Sequence, residues 1–317
     1  MTNSQLTVPG CGSSILKQVR KAIVGKDNVL IWVLAAILAK GHILLEDIPG
    51  VGKTTMALAF SKTLGLEYGR VQFTPDVLPS DITGYSVMDP KTFETSYRPG
   101  AVLCNLFLAD ELNRATSRTQ SALLEAMEEG QVTVDGISHK VPQPFVVIAT
   151  QNPTGAAGTQ LLPDSQMARF MLRLSLGYPS ADDEVAMIVQ RKAGNPLHNL
   201  EALLSKADLV LLQQQVESCH VSDDIMRYIV QLIHATRNHP SIRQGASPRA
   251  TLAVVALSKA VAMLRDRDYV VPEDVRSVFL HAIPHRLQLS DEAALEKKTE
   301  EEVLQDILAS TKAPALI

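Results

Sequence analysis

From His42 onward the chain alternates short apolar runs with stretches of helical period. His42-Ile-Leu-Leu-Glu46 is a compact apolar run that ends in a Pro/Gly turn, and residues 53–64 carry a helical pattern behind it. Leu106-Phe-Leu-Ala109, Phe145-Val-Val-Ile-Ala149 and Met171-Leu-Arg-Leu-Ser-Leu176 are further apolar runs of strand length. Strands of this kind, separated by helices, predict an α/β fold with a parallel sheet covered on both faces. Ligands of such sheets bind beyond the carboxyl ends of the strands. The apolar run at residues 29–39 stops at Lys40, well short of the ~20 residues of a membrane helix. It reads as a buried helix, and no membrane insertion is expected.

Two features punctuate the sheet. Between Gly130 and Val141, Val132 and Val134 alternate with polar residues before the Asp135-Gly136 turn, which predicts a β-hairpin at about 131–141. Residues 83–100, with turns at Asp89-Pro90 and Pro99-Gly100, read as an insertion. Beyond about residue 180 the pattern is helical only. Ser247-Pro248 predicts the start of a long helix, with Ser as its N-cap and Pro in its first turn. Pro272-Glu-Asp predicts another, its acids matching the helix dipole. The charged tail at 290–311 places Ala294, Leu295, Val303, Leu304, Ile307 and Leu308 on one helical face. The expected division is a nucleotide-binding α/β domain at 1–180 and a small all-helical lid at 181–317, joined near 178–183.

Composition narrows the class of function. The 317 residues are 46% hydrophobic and 20% charged, with a net charge of −4, so there is no basic footprint of a nucleic-acid-binding domain. Cys11, Cys104 and Cys219 are scattered, which fits neither a disulfide framework nor a zinc site and suits a reducing cytosol. The first residues lack a basic-then-apolar signal pattern. A cytoplasmic location is expected.

The strongest chemical motif is Asp47-Ile-Pro-Gly-Val-Gly-Lys-Thr54, a loop between a strand and a helix. Gly50 and Gly52, flanked by Pro49 and Val51, allow backbone N–H groups to wrap phosphate oxygens at the positive end of the following helix. Lys53 is placed to neutralise the terminal phosphates, and Thr54, followed by Thr55, to offer a hydroxyl to Mg²⁺. The usual first glycine of this pattern is replaced by Asp47. A second element, Leu106-Phe-Leu-Ala-Asp110-Glu111, ends an apolar strand in two acids. Asp110 suits a role in holding magnesium, and Glu111 that of general base toward an attacking water. ATP and Mg²⁺ are the cofactors these motifs predict.

Asp110-Glu-Leu-Asn-Arg-Ala115, running into Gln120-Ser-Ala-Leu-Leu-Glu-Ala-Met-Glu-Glu129, resembles the signature of the MoxR family of AAA+ ATPases, with Ser117 and Gln120 read as the capping box of the intervening helix. Ala149-Thr-Gln-Asn-Pro153, the block from Leu162 to Phe170, Gly245-Ala-Ser-Pro-Arg-Ala250 and Asp268-Tyr-Val-Val-Pro-Glu-Asp-Val275 resemble further family blocks in the same order. The resemblance implies that Asn152 is sensor 1, that Arg169 is an arginine finger acting on a neighbouring subunit's nucleotide, and that Arg249 is sensor 2. It implies that Val24 and Gly25 line the adenine pocket. Residues 83–100 would be a helix-2 insert and 131–141 a pre-sensor hairpin, both facing a ring pore and a protein client. It further implies a homo-oligomer, as a hexameric ring, with chaperone-like remodelling of clients and a separate partner bearing a von Willebrand factor A domain. Two departures stand out: no acid in Thr154-Gly-Ala-Ala-Gly158, and Ala168 where an acid commonly precedes the finger. The alternatives are a nucleic-acid or chelatase-type motor of the same clade, and a module that binds nucleotide without turning it over.

Overall fold

The computed structural model describes residues 6–152, 162–192 and 194–315. Helices α1 (Val8–Val19) and α2 (Asp27–Leu38) precede β1 (Ile43–Glu46), which leads through the phosphate loop into α3 (Lys53–Thr63). There follow β2 (Tyr68–Gln72), α4 (Pro79–Thr83), β3 (Gly84–Met88), β4 (Thr95–Pro99) and β5 (Leu106–Asp110). Next come α5 (Ser117–Glu129), β6 (Gln131–Val134), β7 (Ile137–Lys140), β8 (Val146–Gln151), α6 (Asp164–Met167) and β9 (Leu172–Leu174). The C-terminal half comprises α7 (Ala181–Lys192), α8 (Lys206–Ser218), α9 (Asp223–Asn238), β10 (Ile242–Gln244), α10 (Pro248–Leu264), α11 (Pro272–Ala282), β11 (Gln288–Leu289), α12 (Asp291–Leu295) and α13 (Glu300–Ser310).

The central sheet has the order β2-β5-β8-β1-β9, with every pairing parallel. Because side chains alternate across a strand, Leu106 and Leu108 of β5 face one apolar cluster, while Phe107 and Ala109 face the other. Burial on both faces explains why β5 and β8 read as continuous apolar runs. β2 was not legible: Tyr-Gly-Arg-Val-Gln lies at the sheet edge with partly exposed positions and no apolar run. The larger cluster joins Ile15 of α1 and Leu34 of α2 to Val254 and Leu257 of α10, so the first two helices pack on the C-terminal half.

His42 ties the start of β1 into this frame. Val147 N–H donates to Nδ1 at 3.0 Å, so the ring proton sits on Nε2, which lies 3.1 Å from the Met127 carbonyl. Burial drives the imidazole pKa down to about 4. With both ring nitrogens engaged by backbone groups, the residue is structural.

Both punctuating segments form antiparallel hairpins, β3–β4 and β6–β7. The Tyr97 and His139 rings stack between them, 3.6 Å apart at 9°. Large apolar side chains stand exposed on the two hairpin ends, Phe93 at 75% and Ile137 at 63%.

Several local expectations need correction. The cap of α5 is Thr116, whose hydroxyl accepts from Thr119 N–H, and Ser117 is the first helical residue. Gln120 forms no capping box; its buried amide donates to the carbonyls of Leu112 and Ala115 and braces the turn after Glu111. Ser247 caps α10 by position but without a side-chain hydrogen bond. The C-terminal half is not purely helical, since β10 and β11 pair antiparallel. In the tail, Val303, Leu304, Ile307 and Leu308 are buried as expected, whereas Ala294 and Leu295 are exposed at the end of the short α12.

Candidate functional site at the carboxyl ends of the strands

The adjacency of β5, β8 and β1 brings three loops together at one end of the sheet. β1 delivers Asp47 to Thr54, β5 delivers Asp110 and Glu111, and β8 delivers Asn152. Gly50 and Gly52 take φ of +90° and +101°, and a Cβ on either would meet nothing within 4 Å. Those backbone angles disfavour any side chain and leave a cradle bounded by main chain. Gly52 directly precedes α3, so the helix's positive end opens onto the cradle. This arrangement fits a polyphosphate.

Lys53 is buried, and its ammonium lies on the loop, donating to the carbonyls of Asp47 at 2.6 Å and Ile48 at 3.3 Å. Burial lowers its pKa, opposed by the carboxylates of Asp47, Asp110 and Glu111. Thr54 and Thr55 are half-buried at the start of α3. A cleft of about 920 Å³ runs from Pro49, Gly50, Val51, Gly52 and Thr55 to Val24, then along α7. Gly25, with φ of +71°, lies so close to α7 that a Cβ would fall 2.2 Å from the Asp183 carboxylate. The loop between α1 and α2 and the start of α7 therefore close one wall of the cleft together.

Asp47 explains the broken glycine pattern. Its carboxylate accepts from Ser175 Oγ at 2.8 Å and from the N–H groups of Leu176 and Gly177. The side chain thus turns away from the phosphate cradle and fastens the loop to the segment leaving β9. It is 6% exposed.

The acidic pair is braced by residues that sequence reasoning missed. Thr150 of β8, fully buried, donates to Asp110 Oδ1 at 2.7 Å and accepts from Glu111 N–H at 2.8 Å. Arg70 of β2 pairs with Asp110 Oδ2 at 2.8 Å. A Thr in a buried strand is an ordinary β-former, so only its register opposite the acids could have singled it out. Glu111 adopts the left-handed region with φ of +56°, a strained conformation that costs a non-glycine residue about 1 kcal/mol or more. Its carboxylate pairs with Arg114 at 2.8 Å. Asn152 lies half-buried just past β8, its carbonyl accepting from Asn113 Nδ2 at 3.3 Å. Residues 153–161, including the acid-free stretch from Thr154 to Gly158, lie outside the described residues.

Magnesium has a chemically suitable donor set in the Thr54 hydroxyl and the Asp110 carboxylate beside the cradle. Among the described residues no group of three or more His, Cys, Asp or Glu gathers as a metal cage.

Arg169 and Arg249 are brought together elsewhere. Arg169 Nε meets Glu128 Oε2 at 2.8 Å, and Arg249 pairs with the other oxygen of the same carboxylate. Neither lines the cleft beside the phosphate loop. The hydrogen bond from Arg169, reinforced by the charge of Arg249, holds the Glu128 carboxyl below its usual range. Glu128, at the end of α5, thus supplies one carboxylate to both arginines. The cleft side of the chain carries the glycine loop and Lys53, while the Glu128 side presents two guanidinium groups.

A sequence model described as the ATPase family associated with various cellular activities (AAA) matches residues 42–172, and one for an AAA lid domain matches 234–307. The YeaC protein of Bacillus subtilis is 45% identical over 94% of this chain and 93% of its own length. Chaperone MoxR1 of Mycobacterium tuberculosis is 37% identical over 94% of this chain and 81% of its own. A crystal structure from Cytophaga hutchinsonii, 33% identical, superimposes with a TM-score of 0.90 and covers 97% of this chain and 96% of that one.

Proposed function

We propose that this chain, which belongs to the MoxR family of AAA+ ATPases, hydrolyses ATP at sites shared between neighbouring subunits of a ring and uses the turnover to remodel a client protein. The observation that carries this reading is the separation of the two half-sites. The cradle, Lys53, Asp110, Glu111 and Asn152 occupy the strand ends, whereas Arg169 and Arg249 converge on Glu128 away from the cleft. Two guanidinium groups presented together suit the phosphates of an adjacent subunit's nucleotide. We therefore assign Arg249, like Arg169, to act in trans.

In this reading Gly50 and Gly52 wrap the phosphates with backbone N–H groups, and Lys53 leaves the Asp47 and Ile48 carbonyls to contact the terminal phosphates. Magnesium, held by Thr54 and Asp110, supplies charge neutralisation at the phosphates. Asn152 orients the attacking water and Glu111 accepts its proton, which requires its carboxylate to part from Arg114. The arginines of the neighbour stabilise charge on the transferring group. Val24 and Gly25 border the base.

A hexameric ring is the assembly we propose, with the exposed ends of the β3–β4 and β6–β7 hairpins toward the client. The name of MoxR1 supports a chaperone role; among the described residues no helix is long and apolar enough to cross a membrane. A cytoplasmic location and a separate partner with a von Willebrand factor A domain complete the proposal. Glu111→Gln is expected to lower kcat by about 100-fold or more while retaining ATP binding, and to hold its client when purified with ATP. Wild-type turnover in that variant would remove Glu111 as the base; recovery of nucleic acid instead of protein would favour a nucleic-acid motor.

A further inference from the structure

The lid reaches the finger through two buried side chains that the nucleotide chemistry does not use. After α11, the turn Pro284–Arg286 carries His285 and Arg286 into the interface beside β9. They are only 5% and 8% exposed. Arg286 Nη2 donates to the carbonyl of Phe170 at 2.7 Å, and its Nε lies 3.2 Å from His285 Nε2. The same His285 nitrogen lies 2.9 Å from the Phe170 carbonyl. Among the described residues no carboxylate pairs with Arg286, and its Nη1 has no hydrogen-bond partner. Burying a guanidinium without a counter-charge is unfavourable by several kcal/mol. Burial, with the positive charge of Arg249 nearby, brings the Arg286 pKa down to about 10. A hydrophobic residue of similar size would pack there at less cost, so packing alone does not account for this guanidinium.

What the pair grips is specific. Phe170 directly follows Arg169, and the next residue, Met171, donates its N–H to the His42 carbonyl at 2.7 Å. The backbone carrying Arg169 is thus fixed on one side by the sheet and on the other by the lid. We propose that Arg286, oriented by His285, is a positioning residue that sets where Arg169 is presented, making the finger an element anchored on the lid. This rests on the reading of Arg169 as acting on a neighbouring subunit's nucleotide.

A subunit-mixing experiment tests it. Arg286→Met is expected to lower kcat by about 10- to 100-fold, since small misplacements of a catalytic group have effects of that size, with ATP affinity unchanged within about twofold. Mixed with Lys53→Ala, which carries an intact finger but a disabled nucleotide site, the variant should regain activity, because its own nucleotide site then receives a normal neighbour's finger. Mixed with Arg169→Ala it should not. A merely misfolded subunit would rescue neither mixture. Should Arg286→Met not melt cooperatively, Arg286→Lys and His285→Asn are mixed in the same way; wild-type kcat in both would overturn the proposal. Rescue of Lys53→Ala by Arg169→Ala but not by the Arg286 or His285 variants would also overturn it. Failure of Arg169→Ala itself to rescue would instead refute the trans-acting finger.

Discussion

Replacing Asp47 with glycine would restore the first glycine of the general phosphate-loop pattern, and the structure predicts that it damages the protein. The buried carboxylate accepts from Ser175 Oγ, Leu176 N–H and Gly177 N–H. Hydrogen bonds to a charged group contribute roughly 1.5–3 kcal/mol each, and a new glycine adds about 0.5–1 kcal/mol of backbone entropy cost. Because water can enter the vacated space and solvate part of what is lost, the net destabilisation should be on the order of 3 kcal/mol. In urea unfolding, with a slope of about 3 kcal/mol/M, the midpoint should fall by about 1 M. The KM for ATP should rise as the loop loses its attachment to the strand end beyond β9. Asp47→Asn should fall between, since its amide oxygen can still accept while its NH₂ faces other donors. A glycine variant with wild-type midpoint and KM would refute the assignment of Asp47 as a fastener.

Two further outcomes follow from the buried polar groups. His42 has a folded-state pKa near 4 against an ordinary 6.5, so its contribution is intact above pH 6.5 and is lost as pH falls toward 4, reaching about 3 kcal/mol. The urea midpoint should fall more steeply across that window in wild type than in His42→Gln; equal slopes would remove His42 as the cause. Thr150→Val preserves shape but deletes the hydroxyl between Asp110 and Glu111 N–H. It should destabilise by about 1–3 kcal/mol and lower kcat about tenfold with little change in ATP binding, as measured by steady-state kinetics and nucleotide titration. An unchanged kcat would show that the acids hold their places without it.

The phosphate loop and acidic strand end were legible because their chemistry requires particular residues at fixed spacing: Gly50, Gly52, Lys53 and Asp110 admit few alternatives. The buried strands were legible because burial on both faces leaves uninterrupted apolar runs such as Phe145-Val-Val-Ile-Ala149. The edge strand β2 escaped because exposure relaxes that requirement. Thr150, Arg70 and Glu128 escaped for a different reason: each owes its role to a partner distant in sequence, with Thr150 and Asp110 40 positions apart and Arg249 and Glu128 121 apart. Asp47 was visible as an anomaly, but its purpose became readable only with the segment after β9 in place.

Helix α10 spans 17 residues, about 25 Å at the usual rise, and its two duties lie on one rigid rod. Its first turn carries Arg249, while its flank packs against α1 and α2, whose connecting loop holds Val24 and Gly25. A tilt of about 5° around the C-terminal end would carry Arg249 through about 2 Å, comparable to the making or breaking of an ion pair. The same tilt presses on α1 and α2, whose connecting loop borders the base in the proposed function. In the proposed ring the rod would then be a lever with one arm toward each of two nucleotides, so that the affinity of one site and the arginine offered to the next could not be tuned independently.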